Sequence, residues 1–396
     1  MVDIARMQDA LGKMLVDGWL LGDFRGNNPL ARRILQLDKR PLGTRRLFYC
    51  VPALGEPKKL VHRIEAAALD HLPGERIIYL SWQEFESGLQ ALVQGMQRVA
   101  MEYSPRNAIP YVARMDAGTV ELVRSFGVDV VSSGDLIQLF EATWDEEQWE
   151  MHLRAAERTD QAFRHAGQCS AHEVRRQTAI RETDVQRVIL EFFANHGLIT
   201  DHGPIVAAGA HSGDPHFDTC PENDALIREG DLVLIDLWAK LNRPRAVYSD
   251  LTRMGVVDTR VDERYASLFA VVAQARDAAV QRVREAFGCG RAIRGWEVDA
   301  AARQVIEAAG YGRAFIHRTG HSIGQETHGN GANMDNLEMR DERTVLPRTC
   351  FSVEPGVYLP EYGVRSEVNV FVDGDRCVHV TGGEPQQRVT AILAEF

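Results

Sequence analysis

Leu232-Val233-Leu234-Ile235-Asp236-Leu237-Trp238 is an almost wholly apolar run that delivers one carboxylate, Asp236, near its end. A short apolar run of this kind, bounded by turn residues, predicts a buried strand. Fourteen residues after Asp236, the stretch Tyr248-Ser249-Asp250-Leu251-Thr252 delivers a second carboxylate, Asp250. Asn242, Arg243 and Pro244 lie between the two and have the chemistry of a turn. The pattern therefore predicts a hairpin that sets Asp236 and Asp250 side by side. Like charges that close are unfavourable unless a proton or a cation neutralises them.

The C-terminal half holds further groups of the same kind. His321 lies in Thr319-Gly320-His321-Ser322-Ile323-Gly324, Glu354 in Ser352-Val353-Glu354-Pro355-Gly356, and Glu367 in Gly363-Val364-Arg365-Ser366-Glu367. Two Asp, two Glu and one His form a hard, oxygen-rich donor set. It suits a pair of divalent metals, Mn first, with Co, Zn or Fe also compatible. Taken one at a time these residues mean little, since an Asp at a strand end commonly serves a turn and Glu-Pro-Gly is itself a good turn sequence. Their joint order carries the argument.

Around this nucleus the chain divides in two. Residues 1–150 alternate helical and strand-like pieces, the pattern of an α/β domain. Helices are expected at 5–16, 84–95 and 117–126, and strands at 46–51, 59–62, 77–80 and 128–131. No glycine-rich phosphate loop follows any of these strands, and this half shows no catalytic constellation. Residues 151–396 read twice as two helices followed by strands. A charged helix at about 145–166 is followed by one whose start is marked by Thr183 and Gln186 at capping-box spacing and whose end is marked by Gly197. Strands fill 204–255. A second helical pair, 262–287 and 297–309, precedes strands from about 315 to 394. The repeat suggests two equivalent halves that each supply ligands to a shared centre.

Composition sets outer bounds. The 396 residues exceed one ordinary domain. A net charge of −11 argues against nucleic acid or an anionic membrane as a partner. No apolar run approaches the ~20 residues of a membrane span, and the first residues lack the apolar core of a secretory signal. The six cysteines are scattered with no Cys-x-x-Cys pair, which predicts reduced thiols and a cytoplasmic setting.

The ordered set Asp236, Asp250, His321, Glu354 and Glu367, with the wording around each, resembles the dinuclear metallopeptidases of the pita-bread fold, the group of prolidase, aminopeptidase P and the creatinase relatives. The likeness covers about residues 160–396, and the first 150 residues are similar in size and pattern to the N-terminal domain of the same group. The resemblance implies an α/β N-terminal domain over 1–150 and an α+β pita-bread catalytic domain over 151–396. It implies that Asp236 binds one metal, that His321 and Glu354 bind the other, and that Asp250 and Glu367 bridge both. His216, in Asp214-Pro215-His216-Phe217, and His328, seven after His321, match histidines that contact substrate, and Arg365 matches an arginine that supports the site. Glu354 is also the implied proton shuttle. The implied reaction is hydrolysis of the peptide bond before proline in dipeptides or short peptides by a hydroxide bridging two metals, in a homodimer. A metal-dependent hydrolase of a small non-peptide amide or amidine is the alternative. His317 is expected to be structural rather than a ligand, and His202 and His211 to be solvated loop residues. Tyr358 and Trp238 are open between pocket lining and core packing. Trp238 stands where the family commonly has a small residue, Gly329 where it has an acidic one, and Gln325 where it has Leu, departures that bear on substrate preference.

Overall fold

A computed structural model describes residues 2–396. The chain forms two compact units, with the boundary between Glu141 and Ala142.

The first unit is built on a six-stranded mixed sheet. Its order is Glu75–Tyr79, Lys58–His62, Leu47–Pro52, Gly18–Asp23, Arg98–Met101, Asp129–Ser132. Successive side chains of a strand point to opposite faces, and here both faces are covered. Trp19, Leu21, Tyr49, Val51 and Val61 enter one core with the helix Ile4–Met14. Leu20, Phe48, Cys50 and Leu60 enter a second core with the helix Trp82–Leu92. The strands Gly18–Asp23 and Arg98–Met101, absent from the sequence-based expectation, are central in this sheet. They are short, and Gly18–Asp23 is buried along its whole length, so neither shows the alternation that marks a half-exposed strand.

The second unit has two helical pairs and two main sheets. The helices Glu146–Arg175 and Glu182–Asn195 precede a sheet in which Leu232–Leu241 is the long central strand, paired with Ser249–Val256, Ile205–Ala208 and Leu198–Ile199. The helices Glu263–Gly288 and Gly295–Ala308 precede a sheet ordered Ser322–Ile323, Thr349–Val353, Val368–Val372, Val378–Thr381. The repeat of two helices and a sheet is thus present. Start signals are local. Asp145 caps the first helix and forms a capping box with Gln148. In the second helix the start lies two residues before the expected Thr183: the Arg181 amide donates to Asp184 Oδ2 at 3.1 Å. Gln186 instead donates to the carbonyls of Pro204 and Thr219, so its side chain pins the following loop. Among the described residues no helix is long and apolar enough to cross a membrane.

Candidate metal centre

The site begins with the pleat of Leu232–Leu241. Leu237, Ala239 and Leu241 point into the core shared with the first helical pair. Leu232 and Leu234, on the other face, join the core of the second helical pair. With Leu237 and Ala239 anchored, Asp236 must continue the Leu232–Leu234 face. On the partner strand Met254 and Val256 share that apolar face, and Thr252 and Asp250 continue it. Both strands therefore change from apolar to polar at the same level. Asp236 pairs with Thr252, and Asp250 pairs with Trp238. The two aspartates are diagonal neighbours on one face rather than directly opposite, still within reach of a common ion.

The other sheet closes on this pair. Asn369, fully buried, accepts from the Asp250 amide and donates to its carbonyl, both at 3.0 Å. Thr252 Oγ1 donates to Glu367 Oε2 at 2.8 Å and accepts from Arg365 Nε at 2.9 Å. Ser352 Oγ accepts from the His321 amide at 2.9 Å and donates to Glu354 Oε1 at 3.0 Å, so one hydroxyl positions two expected ligands. Gly320 makes this closeness available: a Cβ there would lie 1.9 Å from the Ser352 carbonyl oxygen.

Ligand atoms of Asp250, His321 and Glu367 lie within 4.8 Å of one another, all buried. His321 Nε2 is 3.4 Å from Asp250 Oδ2 and 3.4 Å from Glu354 Oε1. Nδ1 of His321 faces the Ser322 carbonyl at 3.1 Å; a carbonyl only accepts, so Nδ1 carries the proton and Nε2 keeps its lone pair. Asp236 is paired with Arg365 through Oδ2. Two buried carboxylate oxygens, Asp236 Oδ1 and Glu367 Oε1, have no hydrogen-bond partner. Orphaned buried polar atoms of this kind are costly. They belong to a set of donors that suits a divalent-cation centre, and a cation would satisfy such atoms.

Electrostatics agree. Burial, with the charges of Asp250 and Glu354 and against the pull of Arg365, pushes Asp236 up to about 7. Burial and neighbouring carboxylates push Asp250 and Glu367 well above the usual range. Glu354 goes the other way. Burial alone would raise it, but His321, His317 and Arg365 outweigh burial and hold it below the usual range. Without a cation this environment favours protons on the cluster, and bound divalent ions would replace them.

Arg365, buried, reaches in three directions: Asp236, the Tyr358 hydroxyl at 3.3 Å and the Pro215 carbonyl at 3.3 Å. The last bond ties the loop before His216 to the centre. His216 is exposed, as is His328, whose ring stands edge-on to that of His321 with centroids 4.3 Å apart. The neighbouring His321 and partial burial push His328 down to about 3. His317 makes its hydrogen bonds outside the carboxylate cluster. Its Nδ1 faces the Arg318 carbonyl and its Nε2 the Tyr358 hydroxyl at 2.7 Å, and burial pushes it down to about 4. Tyr358 thus donates to His317 and accepts from Arg365. Trp238 is half-buried on the site face, its indole N–H donating to Asp201 Oδ1 at 2.7 Å. His202 is exposed, its side chain beside Asp201. His211 is not the solvated loop residue expected. It stacks on Phe217 with centroids 4.3 Å apart and bonds to Glu182 at 2.9 Å. Glu182, fully buried, also accepts from the amides of Ala208 and Ala225, and so holds both ends of the segment that carries His216. Sequence reasoning missed Glu182, Thr252, Ser352 and Asn369. Each is a common polar residue inside a predicted element, and only the fold gives it a partner.

The chain matches the profile of metallopeptidase family M24 over residues 150–374. It belongs to that family. It is similar to the probable dipeptidase PepE of Mycobacterium tuberculosis, with 29% identity over 203 residues, 50% of this chain and 49% of that protein. It is also similar to an Xaa-Pro dipeptidase of Lactobacillus helveticus, with 28% identity over 164 residues, 41% of this chain and 40% of that protein. The matched stretch spans half or less of the length of these curated relatives. Among solved structures, the dipeptidase PepE of Mycobacterium ulcerans superposes with a TM-score of 0.69 at 22% identity, over 98% of this chain and 96% of that one. The pita-bread fold is thereby established for a family member with both units present.

Proposed function

We propose that this protein is a metal-dependent peptidase that cleaves the bond before proline in dipeptides or short peptides. The observation that carries the reading is the pair of orphaned, buried carboxylate oxygens of Asp236 and Glu367 beside the Asp250–His321–Glu367 cluster. The curated relatives, by their names a dipeptidase and an Xaa-Pro dipeptidase, support the substrate class.

In this reading Asp236, Asp250, His321, Glu354 and Glu367 would hold the divalent ions. Manganese suits four carboxylates and one imidazole. Such ions supply Lewis acidity, polarising a carbonyl and lowering the pKa of water toward neutrality. The protein's own groups do the rest. Arg365 fixes Asp236 in its rotamer and keeps one oxygen turned inward. Glu354, held ionised, accepts the proton released by the attacking water and returns it to the leaving amine. His328 and His216, both exposed beside the centre, hold the carbonyl oxygen as charge develops on it. The first unit is proposed to be the N-terminal domain of this family.

The test is an assay of protein stripped of metal and then reloaded with Mn, Co or Zn, on a matched Xaa-Pro dipeptide and Xaa-Pro-Xaa tripeptide. Metal-dependent release of the N-terminal residue is expected. Stoichiometric metal with no cleavage of either peptide overturns the peptidase reading.

A further inference from the structure

The site face of Leu232–Leu241 does not end at Asp236. Two more side chains share it, Trp238 and Lys240, both half-buried. Neither belongs to the ligand set. Trp238 is opposite Asp250, and Lys240 lies in the next row, where its ammonium sits 4.5 Å from the centroid of the Tyr248 ring. In the other direction the same face continues as Leu234 and Leu232, closed into the core. Along this strand, then, the polar way out of the centre runs over Trp238 toward Lys240.

The geometry of this exit is fixed. Asp201 follows the strand Leu198–Ile199, which pairs with Lys240 and Leu241, and it accepts the Trp238 indole N–H. The indole is therefore held rather than rotating. Lys240 donates to the Gln325 carbonyl, three residues before His328. An ammonium has three donors, so one carbonyl does not exhaust it. Burial lowers the Lys240 pKa, partly offset by Asp201 and Glu326, and an anion brought to it would be bound by a charge-assisted hydrogen bond in a partly desolvated setting.

We propose that Trp238 and Lys240 form the subsite for the part of the substrate beyond the scissile bond, with the peptide lying over the indole and its free α-carboxylate paired with Lys240. The proposal rests on the peptidase reading given above and names its substrate class. Rows on one face of a strand repeat every ~6.8 Å, about the length of two extended peptide residues. Cleavage at the level of Asp250 then leaves room for two residues before Lys240. The free acid of a tripeptide fits, with proline over Trp238 and the terminal carboxylate at Lys240.

The experiment compares an Xaa-Pro-Xaa tripeptide with its C-terminal amide on the metal-loaded enzyme, and measures binding of the product-like Pro-Xaa dipeptide, as acid and as amide, by calorimetry. The acid is expected to be favoured about ten-fold or more in kcat/KM and in Kd, the scale of one charge-assisted hydrogen bond. Lys240→Gln should bring both ratios close to one through KM, with kcat retained, and Lys240→Arg should keep them. Equal handling of acid and amide by the wild-type enzyme overturns the subsite and leaves the peptidase reading intact, as does a preference that survives in Lys240→Gln. Metal-loaded protein that cleaves neither peptide defeats the peptidase reading, and this assignment with it.

Discussion

At the scale of single residues, the centre depends on groups that hold the ligands as much as on the ligands. Thr252 is fully buried between Glu367 and Arg365, accepting from one and donating to the other. Thr252→Val keeps the shape and removes both bonds, leaving a buried carboxylate oxygen and a guanidinium N–H unpaired. Each such group costs about 1–3 kcal/mol, so chemical denaturation should show a loss of at least that size, and unchanged stability would refute the role given to Thr252. His328 is a different case. Its ring is exposed and stands against that of His321, and His328→Ala is expected to keep its metal while kcat falls about 10²–10³-fold. Metal analysis beside steady-state kinetics separates the two effects. The proposed donors were legible in the sequence, because Asp236, Asp250, His321, Glu354 and Glu367 each sit in a local wording with turn or strand signals. Their supports were not. Nothing in the sequence around Thr252, Ser352 or Asn369 says that its partner lies more than a hundred residues away or across a sheet, and Glu182 looks like an ordinary acidic residue in the first turn of a helix.

At the scale of elements, the site is a consequence of strand periodicity and close backbone approach. The hairpin Leu232–Leu241 and Ser249–Val256 places its carboxylates by anchoring Leu237 and Leu251 in the opposite core. The segment carrying His321 is held against Thr349–Val353 at a distance only glycine permits. Gly320→Ala puts a Cβ 1.9 Å from a carbonyl oxygen, so the pairing of Ser322 with Phe351 and of Ile323 with Cys350 must give way. Overpacking of this kind costs about 1–3 kcal/mol or more. The expected outcome is a lower thermal midpoint together with weaker metal binding, and a variant that binds metal normally would show that the close approach is dispensable. Half-exposed elements were readable from their periodicity. The central strands Gly18–Asp23 and Arg98–Met101 were not, because burial removes the alternation and they offer only six and four residues of signal. The hairpin was anticipated, but its register was not, since turn residues fix where a chain reverses and side-chain packing fixes which residues face each other.

At the scale of the whole molecule, two buried titratable groups, one in each unit, have opposite pH signatures. In the first unit, Glu102 is fully buried and accepts from Trp19 Nε1, Asn28 Nδ2 and Ser133 Oγ. Burial outweighs these donors and pushes it up to about 7 from 4.5. A carboxyl with a raised folded pKa contributes stability that is complete below its unfolded pKa and is lost as pH rises to the folded value. The window is therefore about pH 4.5 to 7, and the size is ~3 kcal/mol. Glu102→Gln should flatten the loss of stability across that window, and an unchanged slope would show that Glu102 is not its source. In the second unit, burial pushes His152 down to about 4 between the Tyr248 carbonyl and Thr381. Its contribution has the other sign, present above about pH 6.5 and lost as pH falls toward 4.

In the proposed function, four carboxylates and one histidine hold divalent cations. The most direct measurement is the metal content of folded protein after equilibrium dialysis against Mn, beside that of Asp250→Ala. About two ions per chain are predicted for the wild type, with a marked loss in the variant, which lacks one of these carboxylates. Folded wild-type protein that retains no ion, or a variant that retains as many as the wild type, would contradict it.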